Sequence, residues 1–187
     1  MRRRTGLAIF AIGLACVFAR LYIHPARPGL VRFSATIHQE LPLAPDLTLT
    51  DLNGRYLNTA NMKGNVVVVN FWAAWCTPCT TEVPQFIALQ QKYQNQGLEI
   101  IGISIDDEDG ELRDFYRRSR MNYPVIAGSQ KIAQAYGGIL GLPTTFIIGR
   151  DGHIQKKLTG ATDFAVLEKA VVMLITQKGA IGLEKVP

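Results

Sequence analysis

Seven consecutive uncharged residues, Val66-Val-Val-Val-Asn-Phe-Trp72, show no alternation of apolar and polar side chains. A strand with one wet face alternates, so this run predicts a strand covered on both faces, inside a sheet flanked by helices. Cys76-Thr-Pro-Cys79 follows almost at once, and then Val83, Phe86, Ile87, Leu89 and Tyr93 recur at helical spacing as far as Gly97. That spacing predicts a helix over 77–96 with a glycine stop. The cysteine pair therefore lies where a buried strand gives way to a helix.

The remaining pattern extends the same architecture. Leu47, Leu49 and Leu52 precede Asn53-Gly54, and Tyr56 and Leu57 follow, which reads as a hairpin. A second buried strand is expected over 98–105, an amphipathic helix over 108–120 and a short strand over 123–127. The acids of 106–111 form the solvated start of that helix, favoured by its dipole. Ser129 opens a short helix that Gly137-Gly138 ends, and strands over 144–148 and 154–158 flank an Asp151-Gly152 turn. Asp163 caps a last helix to about Gln177, with Gly179 beyond. The order predicts an α/β domain with a mixed central sheet, helices on both faces and an extra N-terminal hairpin.

Charge separates this domain from what precedes it. The chain has 187 residues and a net charge of +5, but Arg2, Arg3, Arg4, Arg20, Arg27 and Arg32 all precede the first acid, Glu40. From Ser34 onward 14 basic residues face 15 acidic ones, so no basic surface for nucleic acid is expected. Arg2 to Arg4 followed by the uncharged run 5–19 is an export signal. As a helix that run spans about 22 Å, short of the roughly 30 Å hydrocarbon core. Two fates fit it: cleavage after Val17-Phe18-Ala19, giving a soluble exported domain, or retention as an N-terminal anchor that Leu21 to Ile23 lengthen. Either way the positive-inside rule puts the domain across the membrane, on the extracytoplasmic or periplasmic side. The division expected is a signal or anchor over 1–23, a tether over 24–40 and a domain over 41–187. Cys16, within the apolar run, reads as a small hydrophobe.

At the start of a helix Cys76 meets unpaired backbone N–H groups and the positive end of the dipole, which favour thiolate over thiol. Cys79, one turn later on the same face, is within bonding range and more buried. Exchange then runs in two steps. The Cys76 thiolate attacks a substrate disulfide, and Cys79 resolves the mixed disulfide. A zinc site needs four ligands, and no second Cys-x-x-Cys or paired histidine motif accompanies this one. His24 and His38 fall in the tether and His153 in a turn. A static bridge over so short a loop adds little stability by comparison with a longer one and explains no helix placement.

The stretch from Val66 through Trp75-Cys76-Thr77-Pro78-Cys79 to Glu82-Val83-Pro84, with Gly141-Leu-Pro-Thr-Thr-Phe146 and Asp151-Gly152, resembles the thioredoxin superfamily. Within it, the chain resembles the TlpA/ResA-like branch of membrane-attached thiol-disulfide oxidoreductases, with a redoxin domain of the AhpC/TSA type. The resemblance implies that Cys76 is the nucleophile and Cys79 the resolving cysteine. It implies a cis Leu142-Pro143 bond beside them, exposing the Leu142 backbone to an extended substrate segment. Pro84 would kink the helix. Thr77 and Pro78 tune the potential and Trp75 contributes to docking, while Trp72 is a core residue. Glu82, on spacing alone, is either a surface acid or a group facing Cys79. The resemblance implies that it is buried and exchanges protons with Cys79. Ordinary thioredoxins instead carry a buried Asp where Asn70 stands here. The implied task is reduction of extracytoplasmic protein disulfides, such as those of apocytochrome c, with electrons from a membrane thiol reductase and no cofactor.

Two other activities are distinguishable. A thiol peroxidase needs a Thr three residues before the reactive Cys, where this chain has Ala73. A copper-binding assembly factor would use Cys76 and Cys79 as soft ligands, without an evident partner histidine.

Overall fold

The computed structural model describes residues 42–105 and 110–177. The leader with Cys16, the tether, the acids of 106–109 and Gly179 lie outside the described residues. The strands are β1 (Thr48–Thr50), β2 (Tyr56–Asn58), β3 (Val66–Trp72), β4 (Leu98–Ser104), β5 (Val125–Ala127), β6 (Thr144–Ile148) and β7 (Ile154–Thr159). The helices are α1 (Thr77–Tyr93), α2 (Gly110–Arg118), α3 (Gln130–Ala135) and α4 (Phe164–Thr176).

Every residue of β3 is buried, and β3 is the middle strand of a five-stranded sheet of order β5-β4-β3-β6-β7. It runs parallel to β4 and antiparallel to β6. The period-2 pleat sends Val66, Val68 and Trp72 to one face, against Val83 and Phe86 of α1, Leu112 of α2 and Leu167 of α4. Val67, Val69 and Phe71 go to the other, where Tyr136 and Phe146 stack edge-on around Phe71 and Ile132 of α3 packs. Both faces are covered, which is why the strand tolerates no charge.

The hairpin β1–β2 is a separate two-stranded antiparallel sheet. Its loop is longer than a two-residue turn, because Asp51 organises it. Asp51 Oδ1 accepts the N–H groups of Asn53 and Arg55, and Oδ2 accepts the Arg55 guanidinium. Burial pushes the Asp51 carboxyl up, but these donors outweigh it and hold the group below its usual range.

α1 runs unbroken through Pro84, which lies on its exposed side, so the helix does begin at the cysteines. It ends in a 3-10 turn over Gln94–Gln96, and Gly97, at φ 88°, supplies the left-handed stop. Gln90 on its buried face has a role that polarity conceals. β5 pairs only with Gly102–Ser104, leaving the start of β4 as an open edge. Gln90 Oε1 accepts the Ile100 N–H at 2.8 Å and its Nε2 donates to the Leu98 carbonyl at 3.2 Å. A buried polar edge is thereby satisfied.

Candidate active site

β3 ends at Trp72 and four residues, the last of them Cys76, carry the chain across to α1, so the cysteines arrive at the end of a wholly buried strand. Cys76 is the N-cap residue in extended conformation, its N–H donating to the Ala73 carbonyl. Thr80 N–H closes the first helical turn on the Cys76 carbonyl, and Pro78 has no N–H. Among the described residues, the amides of Thr77 and Cys79 are left without a helical acceptor beside the sulfurs. Cys76 and Cys79 form a disulfide with Cα atoms 5.2 Å apart. Cys76 is 7% exposed and Cys79 2%, so the first cysteine is the less buried of the two. Thr77 and Pro78 are exposed over the pair.

Glu82 lies on the buried face of α1 with Cys79 and Val83 and is itself only 4% exposed. Its Oε1 accepts the backbone N–H of Thr162, from the connection between β7 and α4. Oε2 has no partner among the described residues. Burial pushes the carboxyl above its usual range and outweighs the lowering effect of the Thr162 N–H. The phenol of Tyr123 is close enough to sense this charge and is also pushed up, chiefly by burial. Asn70 occupies the same side of β3, and its Nδ2 donates to Thr145 Oγ1 of β6 at 3.0 Å. The central strand thus offers a neutral hydrogen bond where an acid could have stood.

The Leu142-Pro143 bond is cis. Pro143 is buried and its carbonyl accepts Gly160 N–H at 2.8 Å, while the Thr144 hydroxyl donates to the Gly141 carbonyl. Among the described residues the N–H and C=O of Leu142 have no hydrogen-bond partner. Between this loop and the cysteines lies a groove of about 820 Å³, lined by Trp75, Cys76, Thr77 and Pro78 on one side and Ile139 to Leu142 on the other. The two tryptophans divide as expected. Trp72 is 1% exposed and packs on Phe115, whereas Trp75 is 69% exposed on the groove.

The fold brings Trp75, Cys76, Thr77, Pro78 and Leu142 to one groove, with Cys79 bonded to Cys76, Pro143 buried next to Leu142, and Glu82 on the buried face of the same helix as Cys79. Thr162, Ile105 and Leu140 were not foreseen. Thr162 is adjacent to a helix cap and carries no motif, and the other two are single apolar residues in connections. Ala73, fully buried, turns a methyl group rather than a hydroxyl to its surroundings. Among the described residues no group of three or more His, Cys, Asp or Glu could hold a metal.

The sequence pattern of the AhpC/TSA family matches residues 42–157. The chain belongs to the AhpC/TSA family. Its relatives within reach of direct comparison include the thiol-disulfide oxidoreductase ResA of Bacillus thuringiensis (strain Al Hakam). That protein is 37% identical over 118 residues, which cover 63% of this chain and 68% of the relative. ResA of Geobacillus thermodenitrificans is 36% identical over 118 residues, covering 63% and 67%. Among solved structures, a thiol:disulfide interchange protein of Chlorobium tepidum superposes with a TM-score of 0.68 at 26% identity. The match covers 72% of this chain and 97% of the other. The thioredoxin domain of a Bacteroides vulgatus thiol-disulfide oxidoreductase gives 0.61 at 25% identity, covering 70% and 96%. This AhpC/TSA member has the thioredoxin-like fold and is a thiol-disulfide oxidoreductase whose redox pair is Cys76–Cys79.

Proposed function

We propose that this oxidoreductase reduces protein disulfides outside the cytoplasm, in cytochrome c maturation or a related assembly. On this reading the export segment delivers it, as a retained anchor or a cleaved signal, and a membrane thiol reductase restores its dithiol. The observation that carries the choice of a protein substrate is the open groove between Cys76 and the unpaired backbone of Leu142. An extended segment can lie there with its disulfide against Cys76. The leader pattern at 1–23 and the ResA relatives support the compartment and the task.

The reaction balances without a cofactor. The Cys76 thiolate attacks one sulfur of the substrate disulfide, and the second substrate sulfur leaves as a thiolate that takes a proton from solvent. Cys79 then loses its proton to Glu82, held ready by its raised affinity for one, and attacks the Cys76 sulfur. The substrate leaves with two thiols and the enzyme holds the Cys76–Cys79 disulfide. Two electrons from a dithiol reductase, with two protons, close the cycle.

The test is Cys79→Ser expressed in the full chain, with Cys76→Ser as control. Mixed disulfides separated on non-reducing gels should form in the first variant and be absent in the second. Equal trapping in both would remove Cys76 as nucleophile, and trapped partners without apocytochrome c would remove the cytochrome assignment.

A further inference from the structure

Two buried side-chain oxygens, Glu82 Oε2 and Thr162 Oγ1, have no hydrogen-bond partner among the described residues. They belong to residues already in contact, since Glu82 Oε1 accepts the Thr162 N–H. A backbone N–H can only donate, so it fixes Oε1 as an acceptor and leaves Oε2 to carry the proton when Glu82 is protonated. Oε2 then needs an acceptor in one protonation state and a donor in the other. A hydroxyl offers both from a single atom. Burial raises the Glu82 carboxyl most, and the Thr162 N–H and then the Thr162 hydroxyl pull it back. The connection that carries Thr162 is pinned at both ends. Gly160, at φ 85°, donates its N–H to the Pro143 carbonyl at 2.8 Å, and Asp163 Oδ1 accepts the N–H groups of Ala165 and Val166 to cap α4. Thr162 is half-buried between the exposed Ala161 and Asp163, so water begins one residue to either side. Of the other ionisable groups, Cys79 shares the buried face of α1, and the Tyr123 phenol, pushed up chiefly by burial, keeps its proton. Among the described residues no cation acts on the Glu82 carboxyl.

We infer that the Thr162 hydroxyl is a positioning residue for Glu82 and passes its proton to and from water, donating to Oε2 while Glu82 is ionised and accepting from Oε2 once Glu82 holds the Cys79 proton. This rests on the reading that Glu82 takes that proton. The step balances. As the Cys79 sulfur attacks the Cys76 sulfur, its proton goes to Oε2. Oε2 hands it to Thr162 Oγ1, and the hydroxyl's own proton leaves to water, so Glu82 ends ionised and Thr162 neutral. Without the hydroxyl, the carboxylate loses a charge-assisted bond whereas the protonated acid loses a neutral one, the weaker of the two. The ionised form is disfavoured more, and Glu82 becomes a competent base only at higher pH.

The experiment mixes the reduced full-length chain with a symmetric aromatic disulfide whose released thiolate absorbs visible light. Attack by Cys76 releases one thiolate and attack by Cys79 the second, so two absorbance bursts report the two steps separately. The second burst should quicken with pH as Glu82 ionises. In Thr162→Val, which keeps the N–H and the side-chain shape, that rise should move up by about one pH unit, the difference between a charge-assisted and a neutral bond. On its acid side the second burst should then slow about tenfold while the first keeps its rate. Thr162→Ser, which keeps the hydroxyl, should restore the unmodified profile. A rise that Thr162→Val leaves in place, or that Thr162→Ser moves as far, would overturn the inference, as would an equal slowing of both bursts at every pH, the mark of a purely structural loss. Glu82→Gln separates the two failures. If the rise vanishes in Glu82→Gln yet ignores Thr162→Val, the hydroxyl's role alone falls. If it survives in Glu82→Gln, the underlying reading falls and the inference with it.

Discussion

Reducing the Cys76–Cys79 pair sets two opposing effects against each other, and their sum decides which way electrons prefer to flow. The disulfide spans a sequence separation of three, closing a loop of four residues. By the chain-entropy argument, a loop that small constrains the unfolded chain by about 2 kcal/mol at room temperature. The folded protein therefore holds its disulfide more firmly than the unfolded chain does, equivalent to about 40 mV toward a reducing pair. Against this stands the Cys76 thiolate, favoured in the reduced protein by the unpartnered Thr77 and Cys79 amides. To cancel 2 kcal/mol, ionisation of Cys76 must multiply the population of reduced, folded protein by about thirtyfold, at about 1.4 kcal/mol per tenfold. One helix terminus supplies about 0.3–1 kcal/mol when exposed and up to about 2 in partly buried settings, so loop closure should win or draw. The expectation is that the oxidised protein resists urea at least as well as the reduced one at neutral pH, by a midpoint shift of up to about 1 M at ordinary denaturant slopes. Tryptophan fluorescence of both forms measures it. The gap should narrow as pH rises. A thiol ionising more readily when folded stabilises the reduced form increasingly above its folded pKa, until the unfolded thiols ionise too. A reduced form more stable than the oxidised one at neutral pH would refute this reasoning and mark the pair as an oxidant.

Three further outcomes follow from named contacts. Because Glu82 is held above its ordinary value of 4.5, the folded chain keeps that proton longer than the unfolded chain. Its contribution to stability is complete at acid pH and is lost as pH rises through the raised value, so Glu82→Gln should flatten this fall in urea titrations. The same variant should slow the Cys79 step about a hundredfold or more in single-turnover kinetics. Asp51 behaves in the opposite sense. Its carboxyl is lowered, so its stabilisation is present above its ordinary value of 3.8 and lost as pH falls through the lowered one. Asp51→Ala should cost about 1–3 kcal/mol at neutral pH and remove that acid-side dependence. Finally, a Cβ at position 128 would come within 2.4 Å of the Ser104 carbonyl oxygen, which is backbone and cannot swing aside. Gly128→Ala should cost about 1–3 kcal/mol in thermal unfolding, whereas Gly141→Ala would meet only the Thr159 methyl at 4.0 Å, an ordinary contact.

Much of the site could be read from residues close together in the chain. The buried run Val66–Trp72 announced a central strand, and the cysteines immediately after it announced a helix start with chemistry at its tip. The β-hairpin, the Ser129 and Asp163 caps and the Gly97 stop were equally visible, because each is a local steric or hydrogen-bonding preference. Boundaries shifted where a partner strand decides them: β5 is limited to Val125–Ala127, opposite only three residues of β4. The cis bond before Pro143 and the burial of Glu82 rested on family resemblance, since neither follows from spacing.

What periodicity and motif fixed for this protein was the class of fold and the identity of the reacting pair, as both arise from contacts a few residues long. The tertiary structure alone decided the rest. Thr162, 80 residues from Glu82, supplies the N–H that meets its carboxylate. Gln90 closes an edge of β4 that exists only because β5 is short, and Leu140 stands in water only because the path from α3 to Pro143 turns it there. Burial and exposure are properties of surfaces assembled from remote segments, so no window along the chain contains them.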